Sequence, residues 1–300
     1  MKIEKCFDIV LNYIKREIFY YKNRSKIGPD LFDARILTID ETIQFMQNRG
    51  HSIVRFGDGE FMLMNGESIN SYQECDANLK NRLIEIFNSE EDNLLVCLPE
   101  PIVGIDQYRH RSKVHWTYRL LTDAPMYAKL VAKGKVYGNS FVSRPYMIYR
   151  DKKKSGKWFN EIRNLFRDKD IVIIEGEYSR TGVGNDLFAE AKSVKRILCP
   201  SQNAYIKYNS ILDEALKIDH NALIIVAIGP TGKVLTNDMV KHGYWVYDMG
   251  HIDSEYEWYK SKARNKTKVS NKHTADTKDE IIGECNDKAY IDSIIAKITN

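Results

Sequence analysis

Ala222-Leu223-Ile224-Ile225-Val226-Ala227-Ile228 runs directly into Gly229-Pro230-Thr231-Gly232, and this stretch decides the fold class. The apolar run is far too short to cross a membrane and too continuous for a strand with one wet face. It reads as a strand buried on both sides, the kind found in parallel sheets covered by helices. Outward from it the same punctuation repeats. Ile171 to Ile174, Arg196 to Leu198 and Tyr244 to Tyr247 are short β-branched, aliphatic or aromatic runs. Helical-looking segments at about 184–193, 202–218 and 231–241 separate them. Strand and helix alternating in this way predict an α/β, Rossmann-like, mostly parallel sheet flanked by helices.

The first half carries the same grammar less plainly. A helix is expected from Asp40 to Asn48, stopping near Gly50. A strand follows at Ser52 to Phe56, then a turn at Gly57-Asp58-Gly59-Glu60. Residues 76–88 read as a helix, Leu94 to Leu98 as a strand ended by Pro99, and 106–133 as a basic helical stretch. The expected organisation is an N-terminal amphipathic helix and linker over 1–37, a catalytic domain over 38–260, and a flexible basic tail over 261–300. Residues 260–280 are rich in Lys, Asn, Ser and Thr, and a last helix is expected over 279–298.

Composition excludes several classes. The 300 residues are 43% hydrophobic and 29% charged, as in a globular protein, and the net charge of +4 does not point to nucleic acid. Cys6, Cys75, Cys97, Cys199 and Cys285 are odd in number and scattered without a CxxC pair, which suggests reduced thiols in the cytoplasm. The N-terminus lacks a signal-peptide pattern. In residues 2–24, Ile3, Phe7, Val10, Ile14, Ile18 and Tyr21 share one helical face, with Lys5, Lys15, Arg16, Lys22 and Arg24 elsewhere. The simpler expectation is a helix packed on the domain. The sharper one is a peripheral helix on the inner face of an anionic membrane.

Polar cassettes follow the predicted strands. Arg55 leads into Asp58 and Glu60. Ile174 leads into Glu175-Gly176-Glu177-Tyr178-Ser179-Arg180-Thr181-Gly182-Val183-Gly184-Asn185. Leu198 leads into Pro200-Ser201-Gln202-Asn203, and Ile228 into Gly229-Pro230-Thr231. Ligands of open parallel sheets bind beyond the carboxyl ends of the strands, so these cassettes are expected to meet at one crevice. Ser179, Arg180, Gly182 and the Gly229-Pro230-Thr231 turn suit a phosphate. Arg144, in Ser143-Arg144-Pro145-Tyr146, suits a diphosphate. Each glycine loop alone is equally an ordinary strand-to-helix turn, and Asp58 is equally a turn former. Neither a Walker A pattern nor a full dinucleotide fingerprint is present.

The last cassette, Gly250-His251-Ile252-Asp253-Ser254-Glu255-Tyr256-Glu257-Trp258, is the densest. If extended, His251, Asp253, Glu255 and Glu257 share one face; if helical, His251 sits over Glu255 and Asp253 over Glu257. Either way the crowded carboxylates call for a cation, and a hard divalent ion such as manganese or magnesium suits them.

Taken in order, RFGDGE (55–60), NSFVSRPY (139–146), EGEYSRTGVGNDLF (175–188), RILCPSQNAY (196–205), AIGPTGKVLTNDM (227–239) and GHIDSEYEW (250–258) resemble the GT-D-fold glycosyltransferases, a bacterial family once listed as a domain of unknown function. The resemblance covers about 38–260. It implies transfer of a hexose, glucose in the best-known members, from a UDP-sugar to a growing glycan, glycoprotein or lipid-linked glycan. It also implies a divalent metal tied to an Asp-x-Glu pattern. Of the two such patterns, Asp253-Ser254-Glu255 is assigned the metal, with His251 beside it; Asp58 and Glu60 are assigned to sugar or acceptor. UDP-sugar contacts fall to Arg144, Ser179, Arg180, Gly182, Asn185, Asn203, Gly229, Pro230 and Thr231. Arg55 helps neutralise the leaving diphosphate, and Glu257, then Asp58, is the expected base. Lys233 departs from the smaller apolar residue expected after Gly232, and is expected to touch phosphate or point to solvent. The rival readings are a phosphoryl or nucleotidyl transferase and a non-catalytic binder of acidic polymers.

Overall fold

Among the described residues nine strands, all parallel, form one sheet: β1 (Arg35–Ile36), β2 (Ser52–Arg55), β3 (Leu94–Leu98), β4 (Val136–Asn139), β5 (Asp170–Gly176), β6 (Ser193–Cys199), β7 (Leu223–Ala227), β8 (Trp245–Asp248) and β9 (Ile294–Lys297). Their order across the sheet is β1-β4-β3-β2-β8-β7-β5-β6-β9. The computed structural model describes residues 2–69, 72–274, 276–277 and 282–299, with side chains from Val10 onward. The run that opened the sequence reading is β7. Leu223 to Val226 are buried, and the strand pairs with β5 on one side (Ile171↔Leu223) and β8 on the other (Ile225↔Tyr247).

Two helix groups cover the sheet. Helices Ala77–Phe87, Tyr208–Ala215 and Thr231–Lys241 pack together in one, and Ile39–Met46, Ser155–Phe166 and Ile252–Lys260 in the other. The junction that positions the site is β2 beside β8. There, two runs of the chain meet through Ile53↔Tyr247 after nearly two hundred intervening residues. From β2 the chain steps outward to β3 and β4; through β7 and β8 it returns to the middle. Every connection from strand to helix therefore lies at one edge, which is where the polar cassettes emerge.

Several expectations shift. Gly57-Asp58-Gly59-Glu60 is not a free turn but the start of the Asp58–Met64 helix, with Glu60 accepting from the Gly57 amide at 2.8 Å. The expected helix over 184–193 is a run of turns, because Asn185 Oδ1 accepts from Leu187 N at 3.0 Å and its amide is pulled toward another helix. The 106–133 stretch splits into His110–Thr122 and Ala124–Leu130, with Pro125 in the first turn of the second piece. Residues 202–218 contain a short 3-10 turn at Ala204–Lys207 and a helix only at Tyr208–Ala215.

The tail departs furthest from expectation. Within the stretch expected as a helix, only Lys288–Ser293 is helical, and Ile294–Lys297 is β9, an edge strand beside β6. Residues 279–281 of that expected helix lie outside the described residues. Ile294 and Ala296 turn inward while Ile295 and Lys297 face solvent, and this period of two is a strand signal that a helical reading overlooked. Lys272 and Thr274, in the stretch expected to be flexible, are buried. Among the described residues no helix is long and apolar enough to cross a membrane.

Candidate active site at the strand ends

Four polar clusters line the carboxyl edge of the sheet. The first locks β2 to β8. The Arg55 amide donates to Asp248 Oδ2 at 3.0 Å, and its guanidinium donates to Asp248 Oδ1 at 3.1 Å, to Gly250 O at 3.0 Å and to the Ser143 hydroxyl. Lys233 Nζ completes the cluster, 3.1 Å from Asp248 Oδ2 and 3.3 Å from Glu60 Oε1. Burial pushes the Asp248 carboxyl up, but Arg55 and Lys233 more than offset it and hold the group below its usual range. Arg55 and Glu60 were expected at the reacting atoms. The structure places both inside this buried lattice, where their charges are already matched. Lys233 neither reaches for phosphate nor points to solvent; it is 5% exposed and belongs to the same lattice.

The second cluster is Asp58 with His115. His115 Nε2 lies 3.1 Å from Asp58 Oδ2, and both side chains are roughly two-fifths exposed. Burial pushes the Asp58 carboxyl up, yet the hydrogen bond and charge of His115, with Arg119 and Arg144, hold it down at about 2. When the imidazole is neutral and donates Nε2–H to this carboxylate, Nδ1 is left as an acceptor, the arrangement of a carboxylate-oriented base. His115 escaped the sequence reading because it stands on the His110–Thr122 helix, outside every cassette.

The third cluster resolves the acidic cassette. Ile252–Lys260 is a helix entered through His251 at φ +74°. Its spacing puts Asp253 and Glu257 on one face, and both accept from Asn185, at 2.8 and 2.7 Å. The Gly182 amide also donates to Asp253 at 2.8 Å. The cation between the two carboxylates is Lys272, from the tail, whose ammonium sits 2.9 Å from Asp253 Oδ2 and 3.1 Å from Glu257 Oε1. Glu255 points elsewhere, accepting from the Tyr146 and Met147 amides at 3.1 and 2.8 Å with Arg144 4.0 Å away. Burial pushes both Asp253 and Glu255 up, opposed by Lys272 and by Arg144 respectively. His251 lies 3.8 Å from Asp276 rather than against Glu255, and burial, with Arg144 beside it, holds its imidazole well below the usual range.

The expected metal set of Asp253, Glu255 and His251 therefore does not converge. Among the described residues no three His, Cys, Asp or Glu side chains gather as a metal centre. Both Asp253 oxygens are engaged, and the one carboxylate oxygen of the set without a hydrogen bond is Glu255 Oε1, already facing Arg144. These residues do not fit a divalent ion as arranged, since the charge that called for a cation is met by Lys272 and Arg144.

The fourth cluster is the anion side. Arg144 Nη1 donates to Asp276 at 2.7 Å, and Asp276 also pairs with Lys266 at 2.6 Å. Arg180 is buried in the left-handed conformation (φ +47°), donating to Asn271 O at 2.8 Å and Gly283 O at 2.6 Å. Beneath it, Glu175 accepts from the Thr181 amide at 2.7 Å and pairs with Arg196 at 2.5 Å, fixing the loop after β5. Beside this loop a small crevice is lined by Ser179, Gly176, Pro200, Asn203, Ile228 and the tail residue His273. Asn203 caps one wall by accepting from Glu74 N at 2.7 Å. Gly229, at φ +58°, forms another constraint: a Cβ there would come within 2.6 Å of the Tyr72 hydroxyl. Pro230 leads into the Thr231–Lys241 helix, whose first residue, Thr231, is fully buried, so this helix start is walled in by Tyr72 and Gln73 rather than open.

The structure thus brings Gly182, Asn185, Asp253 and Glu257 together, and Ser179 with Asn203 at the crevice. It keeps Asp58 with His115, and Arg55 with Glu60, in separate clusters. Lys272 and Asp276, like His115, had no signal in the cassettes.

Residues 53–277 match the family model described as glycosyltransferase GT-D fold. The chain is 41% identical over 272 residues to a probable glycosyl transferase Gly of Streptococcus gordonii, covering 90% of this chain and 40% of that protein. It is 40% identical over 264 residues to glycosyltransferase GlyD of Streptococcus pneumoniae serotype 4, covering 87% of this chain and 32% of that one. The chain spans less than half the length of these curated relatives. Among solved structures, a domain described as the highly conserved domain of unknown function 1792 with a distinct glycosyltransferase fold superposes with a TM-score of 0.87 at 40% identity, covering 94% of this chain and all of that one. A glycosyltransferase of the same domain class from Streptococcus sanguinis gives 0.85 at 42% identity, covering 88% and 99%. Strand order, cassette positions and these likenesses agree, and the chain belongs to the GT-D-fold glycosyltransferases.

Proposed function

We propose that this chain transfers a hexose, with glucose as the first candidate, from a UDP-sugar to a hydroxyl group of a growing glycan. The observation that carries this reading is the pair Arg144 and Arg180. Both guanidiniums sit at the carboxyl edge of the sheet, and both face partners from the tail: a carboxylate for Arg144 and two backbone carbonyls for Arg180. These partners are anionic or electron-rich oxygens, the chemistry that a diphosphate would supply in their place. The small crevice beside Ser179 and Asn203 opens at the same edge, and the rest of the nucleotide is expected to bind there as the tail gives way.

In the transfer step the acceptor oxygen forms a bond to the sugar's anomeric carbon as the bond to the UDP oxygen breaks. The charge developing on the diphosphate falls to Arg144, Arg180 and the loop amides near Gly182. The acceptor proton goes to His115, oriented by Asp58, rather than to Glu257, which is already bound to Asn185 and Lys272. Asp253 and Glu257 stay paired with Lys272 through this step.

The test is a panel of UDP-hexoses, with ATP as control, read by UDP release and thermal protection. UDP-sugars are expected to protect and to be turned over, and Arg144→Ala and Arg180→Ala to abolish both effects while the fold survives. Protection by ATP alone, or unchanged turnover in both variants, rejects the reading.

A further inference from the structure

The N-terminal helix Lys2–Asn23 packs on the domain with the wrong face for a core helix. Its contacts to the His110–Thr122 helix are aromatic and polar. Phe19 meets Tyr118 at 5.4 Å, Tyr20 meets His110 at 5.3 Å, Arg16 lies over Tyr118 at 4.7 Å and Glu17 bonds His110 at 2.9 Å. Tyr20 is 5% exposed. The aliphatic stripe is turned out: Val10 is 51% exposed, Leu11 38%, Ile14 47%, Ile18 50% and Tyr21 61%. At helical spacing these five fall within an arc of about 100°, the width normally reserved for a buried face. Lys15 and Lys22, both exposed, border that arc, and Arg24 and Lys26 follow at the helix end. Over the described part of the helix and the turn after it, five cationic side chains stand against Glu17, which is occupied by His110.

An exposed apolar stripe of this width calls for a cover. We propose that it docks on an anionic lipid surface, lying in the plane of the interface with its aliphatic stripe in the acyl boundary. Charge selects this occupant. A second copy would bring two cationic borders together, whereas phospholipid headgroups of negative charge complement them. Tyr21 on the stripe, with Tyr13 beside it, places a phenolic ring where amphipathic rings prefer to lie, at the headgroup level. The helix would thereby hold the strand-end edge close to acceptors that are themselves anchored in a membrane.

The experiment is co-sedimentation of the full chain with phosphatidylcholine vesicles, with and without phosphatidylglycerol. Partitioning is expected only with the anionic lipid and is expected to fall as salt rises. Ile14→Glu with Ile18→Glu should abolish it, and Lys15→Glu with Lys22→Glu should weaken it by about fivefold or more per lysine. All four side chains are exposed, so an unchanged thermal melt of each full-chain variant serves as the fold control. Failure of the unaltered chain to bind anionic vesicles overturns the proposal, as does binding that survives Ile14→Glu with Ile18→Glu. A dimer in sedimentation velocity that the same double variant dissociates also overturns it, because the stripe would then be covered by a second copy.

Discussion

Lys272 shows how a single residue decides the character of the acidic cassette. Its ammonium is 5% exposed and joins two carboxylates that would otherwise repel each other. Removing one partner of a buried ion pair leaves the other uncompensated, so Lys272→Met is expected to cost about 3–5 kcal/mol. Urea denaturation checks this, and adding Glu257→Gln with Asp253→Asn should recover part of the loss. Asp58→Asn tests the other cluster. Without its carboxylate His115 loses its orientation, and kcat is expected to fall by about 10²-fold or more with little change in donor KM. The same variant has a stability signature. The folded carboxyl, at about 2, lies below its ordinary value, so its contribution is present above the unfolded value near 4 and is lost as pH falls toward 2. With both side chains two-fifths exposed, the screened contribution is about 1 kcal/mol. The gap between wild type and Asp58→Asn in thermal melts should therefore close on acidification.

Elements with an unbroken pattern were legible, and those set by distant partners were not. Leu94–Leu98 and Thr231–Lys241 match their sequence readings, because apolar runs and helical periodicity report burial locally. The 184–193 stretch has a helical pattern, but Asn185 is held by two carboxylates about seventy positions away, and local periodicity cannot report that. Polarity misled the reading of the tail: Lys272 counts as a solvated residue until its partners are known. For the site, the cassettes told which strand ends matter, whereas the pairing of Asp58 with His115 depended on a helix with no motif. The tail's end makes a firm prediction. Tyr290 is 6% exposed, with the Arg196 guanidinium over its ring at 5.2 Å, anchoring the helix that leads into β9. Tyr290→Ala is expected to cost about 3 kcal/mol and to raise hydrogen exchange along β6 and β9 before the rest of the sheet.

Across the whole molecule, the segment from Arg264 to Gly283 ties together parts that the sheet keeps apart. Arg109 donates to Arg264 O at 2.6 Å, Asp276 bridges Arg144 and Lys266, and Arg180 holds Asn271 and Gly283. If a diphosphate takes over Arg144 and Arg180, Asp276, Asn271 and Gly283 lose these partners while Lys272 stays paired with Asp253 and Glu257. UDP-sugar should then speed tryptic cleavage at Lys266 or Lys268 while leaving Lys272 and the strands protected, and mass mapping of a time course would show it. Acid should loosen the same segment. Burial pushes the Asp276 carboxyl up, but Arg144, His251 and Lys266 hold it far below its usual range. Its contribution is present above the unfolded value near 4 and is lost as pH falls below that.

The meeting of β2 and β8 has a consequence for biosynthesis. Arg55 waits for Asp248, so β2 emerges from the ribosome long before one of its two neighbours, β8, exists. Until residue 248 has been made, the nascent first half presents an open strand edge and a buried-to-be arginine without its counter-charge. A chain stalled before β8 should accordingly be held by chaperones, and one released just after it should be able to close the middle of the sheet.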